Sequence, residues 1–269
     1  MPDPTQTSPR AVALHLGVFL LGTLALLMWV GTAAGILSST RGGTASIVVL
    51  GAALVAALTA AQAGGHIALA LAMWRLLPRS PDPLTVAPSG LRFWVAAALG
   101  GATIWALPSW VASAVVQRFP EAGGRLADIG ALLLDGTTAG RALLFTAIVV
   151  CAPLAEEIVF RGYLWRLLSE ALPEWAVWLT TSGLFMLFHF DPLQSVAIAP
   201  AALLLGWLRW TSGSLGPSIV AHGINNAAAV GFLLGTHRDG PALAPAIAAM
   251  TLVVVTVGIT AGLSRRDPR

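Results

Sequence analysis

The sequence has no lysine, one cysteine, one tyrosine and little charge of either sign. Fifteen arginines and twelve acids in 269 residues make 10% charged side chains against 57% apolar ones. Soluble domains carry about 25% charged residues, so this chain cannot cover a globule of its size with polar groups, and most of its surface must meet lipid. The same composition excludes a disordered chain. The solitary Cys151 excludes an internal disulfide framework, and its place in an apolar run makes it a small buried hydrophobe. A net charge of +3, spread over arginines in short loops, is too small and too dispersed for a nucleic-acid face, so no nucleic-acid partner is expected.

What is abundant is hydrophobic sequence. Mean hydropathy is +0.81, and windows of about 19 residues mark apolar runs at 12–35, 45–74, 93–116, 142–168, 175–190, 193–208, 215–234 and 243–263. They predict an all-α, polytopic membrane bundle with about eight transmembrane helices, whose first partner is the lipid bilayer. Several runs reach the roughly 20 residues that a 30 Å hydrocarbon core requires, whereas the fifth and sixth are shorter, and tilt or burial by neighbours is expected there. The first run is too long for the apolar core of a signal peptide and reads as a mature helix. Pro78, Pro81, Pro83 and Pro88 punctuate the second loop, and Gly123, Gly124, Asp135 and Gly136 the third, with no room for a separate soluble domain. The chain divides into N-terminal spans over 1–140, a core over 141–235, and a last span with its tail over 236–269. Nine loop or terminal arginines, Arg10 and Arg269 among them, fall on one side of this topology and five on the other. That asymmetry predicts both termini in the cytoplasm. Arginine to the exclusion of lysine suggests a prokaryotic plasma membrane, and no inverted repeat of the transporter kind is present.

The ionisable residues inside these runs carry the chemical information, because a charge at the bilayer centre costs at least ~2.5 kcal/mol. The fourth run contains Glu156, Glu157 and Arg161. Glu157 and Arg161 are four apart with the acid first, the favourable order for a helical ion pair. Glu156 is turned about 100° from its neighbour, toward something else in the bundle. Pro153, just upstream, removes one helical hydrogen bond and distorts the helix locally. The fifth run ends on Phe185 and His189, four apart on one face. The seventh carries His222 and Asn226, again four apart, with Gly223 permitting close approach of a helix or a substrate. His15 and His66 lie in early runs without polar company, and His237 sits in a loop; all three read as structural or solvated. Glu156, His189, His222 and Asn226 thus offer a carboxylate, two imidazoles and a carboxamide from three runs. Peptide hydrolysis needs such a set, a base for water and donors for a tetrahedral oxyanion.

Glu-Glu-x-x-x-Arg, Phe-x-x-x-His and His-x-x-x-Asn, in that order and each on a hydrophobic run, resemble the pattern of the CPBP (CAAX protease and bacteriocin-processing) intramembrane proteases. The stretch from Thr211 through Pro217 also looks like that family's approach to its third motif, and the resemblance covers roughly residues 141 to 235. It implies an intramembrane endopeptidase acting on a membrane protein or peptide. Glu156 would be the general base working with His189, His222 and Asn226 would hold the oxyanion, and Glu157 and Arg161 would form the supporting pair. The family is often labelled metalloprotease, and Glu156, His189, His222 and Asn226 could bind Zn²⁺. Asn is a poor zinc ligand, and a metal-free mechanism is favoured. His-Glu-x-x-His, Gly-x-Gly-Asp and Gly-x-Ser-Gly, the marks of other intramembrane proteases, do not occur. The alternatives are a non-catalytic scaffold or immunity protein that uses the same polar site for partner binding, and a transporter. Both are disfavoured, the first by the intact polar set, the second by the missing repeats.

Overall fold

The computed structural model describes residues 9–40, 47–76, 90–120, 124–236 and 252. Apart from Leu252, the run at 243–263 expected as the eighth span lies outside them, as do the four prolines of the second loop and His237. Among the described residues every regular element is helical. In chain order these are α1 (Pro9–Thr40), α2 (Ala52–Arg75), α3 (Leu91–Ile104), α4 (Ala106–Arg118), α5 (Gly124–Asp135), α6 (Thr138–Thr146), α7 (Ala152–Glu157), α8 (Trp165–Ser169), α9 (Glu174–Leu187), α10 (Pro192–Ala197), α11 (Ala199–Ser212) and α12 (Gly216–Thr236). Two π-helical segments, Ala147–Cys151 and Ile158–Leu164, join α6, α7 and α8 into one continuous rod.

Four helical stretches of the described residues are long and apolar enough to cross a membrane: Arg10–Thr40, Ala52–Arg75, Leu91–Arg118 and Thr138–Ser169. The expected count of about eight spans is therefore reached only in part. α9 and α11, the fifth and sixth runs, have 14 residues each, about 21 Å at 1.5 Å per residue, short of a 30 Å core. The third loop, where Gly and Asp predicted only turns, holds the helix α5, with Leu132 and Leu133 buried on its inner face. α10 is a second short helix, begun by the Asp191 carboxylate, which accepts from the Gln194 N–H at 2.9 Å.

Packing follows the distribution of small and large side chains. α2 lies against α1, α6 and α7, while α12 crosses α3, α7 and α11, and α11 also meets α9. The inner faces of α1, α2, α9 and the α7–α8 stretch bury Phe19, Phe160, Tyr163 and Phe185 in one cluster, and α3, α11 and α12 bury Ala97, Leu204 and Ala221 in another. Outward stand Leu14, Leu21, Met28 and Trp29 on α1, and Leu143, Val150 and Leu154 along the 138–169 rod. An exposed apolar belt of this kind is what a lipid-facing surface needs and what a water-facing one avoids.

Candidate active site

The 138–169 rod begins where the Thr137 hydroxyl accepts from the Gly140 N–H at 3.1 Å, and its irregularity has a local cause. In the first π segment the N–H of Ala152 reaches back five residues to the carbonyl of Ala147. The next donor in that register is residue 153, a proline without an N–H, so the carbonyl of Ile148 loses its helical partner. Asn226 replaces it: Nδ2 donates to Ile148 O at 2.9 Å. Asn225 Nδ2 in turn donates to Asn226 Oδ1 at 3.0 Å. The carboxamide thereby pins α12 to the rod immediately before the two glutamates. An Asn226→Ala change leaves that carbonyl open, and a loss of about 1–3 kcal/mol is expected in thermal unfolding in detergent, besides any loss of activity.

Glu157 and Arg161, both fully buried, form the i to i+4 pair that their spacing predicts, with Nη1 donating to Glu157 Oε1 at 3.1 Å. The guanidinium does more than neutralise the acid. Its Nη2 donates to Ala202 O on α11 at 2.9 Å, and its carbon lies 4.5 Å from the centre of the Phe185 ring on α9. Glu157 also meets α12, since His222 Nδ1 donates to the same Oε1 at 2.9 Å. The other ring nitrogen, Nε2, stands 3.6 Å from Glu156 Oε2. The adjacent acids point in different directions, as helical geometry requires, yet both reach one imidazole from opposite sides. That link between Glu157 and His222 joins the first and third motifs, and nothing in the spacing foretells it.

His222 is held in place by the smallness of its neighbours. A Cβ on Gly101 would come 2.4 Å from the carbonyl oxygen of Ala221, and one on Gly223 would come 3.1 Å from Val149 O. α3 therefore approaches α12 beside His222 closer than a side chain would allow, and the first π segment approaches it tightly at Gly223.

His189 lies two residues beyond the end of α9, outside its helical part. Phe190 adopts a left-handed φ of 50°, ending the helix there, and His189 Nδ1 donates to Phe185 O at 2.9 Å. That bond fixes the tautomer and leaves Nε2 as the acceptor of the ring. His189 and Glu156, the latter 32% exposed, line one cavity of about 70 Å³, room for several waters. His222, Glu157 and Asn226 are not among its lining residues; His222 stands behind Glu156. The cavity's far wall is made by Thr23 and Leu27 of α1 and by Gln62 and His66 of α2. His66 therefore has polar company, Gln62 one turn earlier on its own helix and Glu156 and His189 across the cavity, and the remoteness of the latter two in sequence hid them. His15, in contrast, returns Nδ1 to its own helix at Ala11 O.

Residues 138–228 match the family model described as type II CAAX prenyl endopeptidase Rce1-like. This stretch is an Rce1-like domain. It contains Glu156, Glu157, Arg161, His189, His222 and Asn226, and its family description is that of a protease. Four helices long and apolar enough to cross a membrane and a match to a protease family model over 138–228 are together what an integral membrane protein of the protease kind would show. Thr23 and His66 lie outside the matched residues. No curated protein and no solved structure matches the chain.

The Rce1-like domain does not present a zinc shell. Structural and catalytic zinc sites converge three or four donors at about 2.0–2.3 Å, and among the described residues no three His, Cys, Asp or Glu side chains are grouped in this way. His222 directs Nδ1 to Glu157, and Asn226 directs its amide nitrogen to a backbone carbonyl. No step is routed through a metal below.

Proposed function

We propose that the protein is an intramembrane endopeptidase that hydrolyses a peptide bond of a membrane-associated, CAAX-type substrate with a water activated by Glu156 and His189. The observation that carries this is the single line Arg161–Glu157–His222–Glu156, which ends at a cavity shared with His189. Two carboxylates, a guanidinium and an imidazole in one line let opposite charges and hydrogen-bond partners meet inside an apolar bundle. Glu157 orients His222 through Nδ1 and turns Nε2 toward Glu156.

A 3.6 Å gap is too long for a direct hydrogen bond and suits a bridging oxygen. With a water at that point and a peptide carbonyl beside it, Glu156 takes a proton from the water, and His189 Nε2 accepts the second water hydrogen and aims the oxygen lone pair. The hydroxide adds to the carbonyl carbon. The oxyanion is met by His222 Nε2–H and by the second N–H of Asn226. Glu156 returns its proton to the departing amine as the C–N bond breaks, and the product acid gives its remaining proton to His189 Nε2, which passes it to the amine, so that the products leave as carboxylate and ammonium.

The test is cleavage of a fluorogenic farnesylated peptide with a CAAX terminus by proteoliposomes, together with comparison of membrane proteomes from cells making the wild type or the Glu156→Gln protein. Turnover of the peptide is expected. No turnover and no difference between proteomes would refute the proposal. Catalysis is proposed to need no metal, so exhaustive chelation should leave the rate unchanged within about twofold; general acid–base chemistry alone supplies factors of 10²–10⁴. Loss restored only by Zn²⁺ overturns the metal-free route. The chain is further proposed to sit in a prokaryotic plasma membrane as an eight-span bundle with both termini cytoplasmic, the short α9 and α11 buried by their neighbours. A reporter fused to the C-terminus should read cytoplasmic, and a signal from the opposite side refutes that orientation.

A further inference from the structure

The cavity has two walls of unequal provenance. One carries Glu156 and His189 from the Rce1-like domain, and the other carries Thr23, Leu27, Gln62 and His66 from α1 and α2. On the second wall two polar atoms are orphaned: His66 Nε2 and Thr23 Oγ1 are both shut off from solvent without a hydrogen-bond partner. Neither is orphaned for want of an ordinary alternative. The helical threonines Thr59, Thr103, Thr146, Thr181 and Thr211 all return the hydroxyl to the carbonyl four residues back; Thr23 does not, although it is 1% exposed. His66 bonds to the backbone of Gln62 one turn earlier, as His189 does to Phe185. The bonded nitrogen donates, so Nε2 is the acceptor. Buried polar atoms are nearly always satisfied, and two failures on one cavity wall mark a place where a ligand completes the bonding.

We infer that the α1–α2 wall is a main-chain-binding subsite, in which His66 Nε2 accepts from a backbone N–H of the substrate and Thr23 Oγ1 donates to the neighbouring backbone carbonyl. The inference rests on the protease reading of the facing wall. Its chemistry follows from what a membrane-borne substrate must undergo. A peptide bond is cut in an extended segment, whose N–H and C=O groups lose their helical partners, and no bulk water replaces them at that depth. An acceptor and a hydroxyl donor side by side match the alternation of those groups. Leu27 beside them, with Phe160 and Phe188 nearby, keeps the remainder of the site apolar. His66 and Thr23 are thus substrate-positioning residues, supplied by the part of the chain that the family match does not cover.

The test measures binding of the labelled farnesylated CAAX peptide to Glu156→Gln proteoliposomes, so that no turnover intervenes, followed by KM and kcat in the active background. His66→Leu should weaken binding about tenfold, the worth of one buried hydrogen bond, and Thr23→Val about threefold. His66→Gln, whose Oε1 replaces Nε2 as acceptor, should bind within about threefold of the parent. KM should rise in step while kcat changes less. A merely structural His66 would predict the opposite ordering, with melting temperature and kcat falling together and no rescue by glutamine. His66→Leu binding as tightly as the parent, with the parent binding well, overturns the inference and leaves the protease reading intact. Failure of the Glu156→Gln parent to bind the peptide overturns the reading itself and the subsite with it. If the leucine variant does not fold, the glutamine and Thr23→Val variants decide: the subsite stands on a loss with valine and retention with glutamine, and falls otherwise.

Discussion

Glu156→Gln should abolish cleavage while the protein still inserts, purifies and melts as the wild type does. The amide has the same shape as the carboxylate but cannot take the proton from water, and removal of a general base costs about 10²–10⁴-fold in rate. Folding should be spared because Glu156 is one-third exposed and its approach to His222 is a loose 3.6 Å. Its backbone lies in the 138–169 rod, which α12 holds through Asn226 at Ile148 O and through His222 at Glu157. The measurement is initial rate in proteoliposomes alongside thermal unfolding in detergent. A variant that folds and still turns over at the wild-type rate removes Glu156 from the role of base and leaves the mechanism without one.

The largest effect on stability should come from the neighbouring residue. Glu157→Ala takes the common partner from a buried guanidinium and a buried imidazole at once, and breaking such a buried pair costs about 3–5 kcal/mol. Arg161→Ala should also be severe, because the guanidinium additionally ties α11 through Ala202 O and packs on Phe185 of α9. The double variant should recover part of the summed loss, by about 0.5–3 kcal/mol, since no charge of that pair is then left alone. Recovery should be incomplete, because His222 still lacks its acceptor. Melting temperatures of the four proteins form the cycle. Strict additivity would mean that the contact between Glu157 and Arg161 contributes nothing, and complete recovery would mean that His222 does not depend on Glu157.

The helical class and the membrane setting were legible because both are properties of composition and run length, which tertiary contacts cannot overrule. The Glu157–Arg161 pair was legible for the same kind of reason, being a relation within four residues of one helix. The Glu157–His222 bond was not, because it joins positions 65 apart and no periodicity crosses between separate helices. The place of His66 on the cavity wall was hidden on the same ground. Its adjoining residues are glycine and isoleucine, with Gln62 one turn earlier as the polar company within its own run, and the ionisable groups across the cavity come from a rod about 90 residues further along. His189 was placed on a helical face, and the i to i+4 relation to Phe185 held, but the left-handed Phe190 that ends the helix carries no glycine or asparagine to announce it. The short α9 and α11 show the other weakness of hydropathy: an apolar run records burial, and helices of 14 residues can obtain burial from protein instead of lipid.

The bond between Asn226 and the Ile148 carbonyl also sets an order of events during synthesis. Its two ends are 78 residues apart, and a ribosome adding about 5–20 residues per second needs roughly 4–16 s to cover that distance. Throughout that interval the 138–169 rod is in the bilayer with one carbonyl open beside Pro153 and with Glu157 held by Arg161 alone. Both gaps close only with the arrival of α12, which brings Asn226 and His222 together. The helix that completes the backbone is therefore the one that completes the proposed hydrolytic machinery. On the proposed mechanism, a chain still missing that helix holds Glu156 and His189 but lacks both oxyanion donors, so the last described helix is also the one that would complete the site.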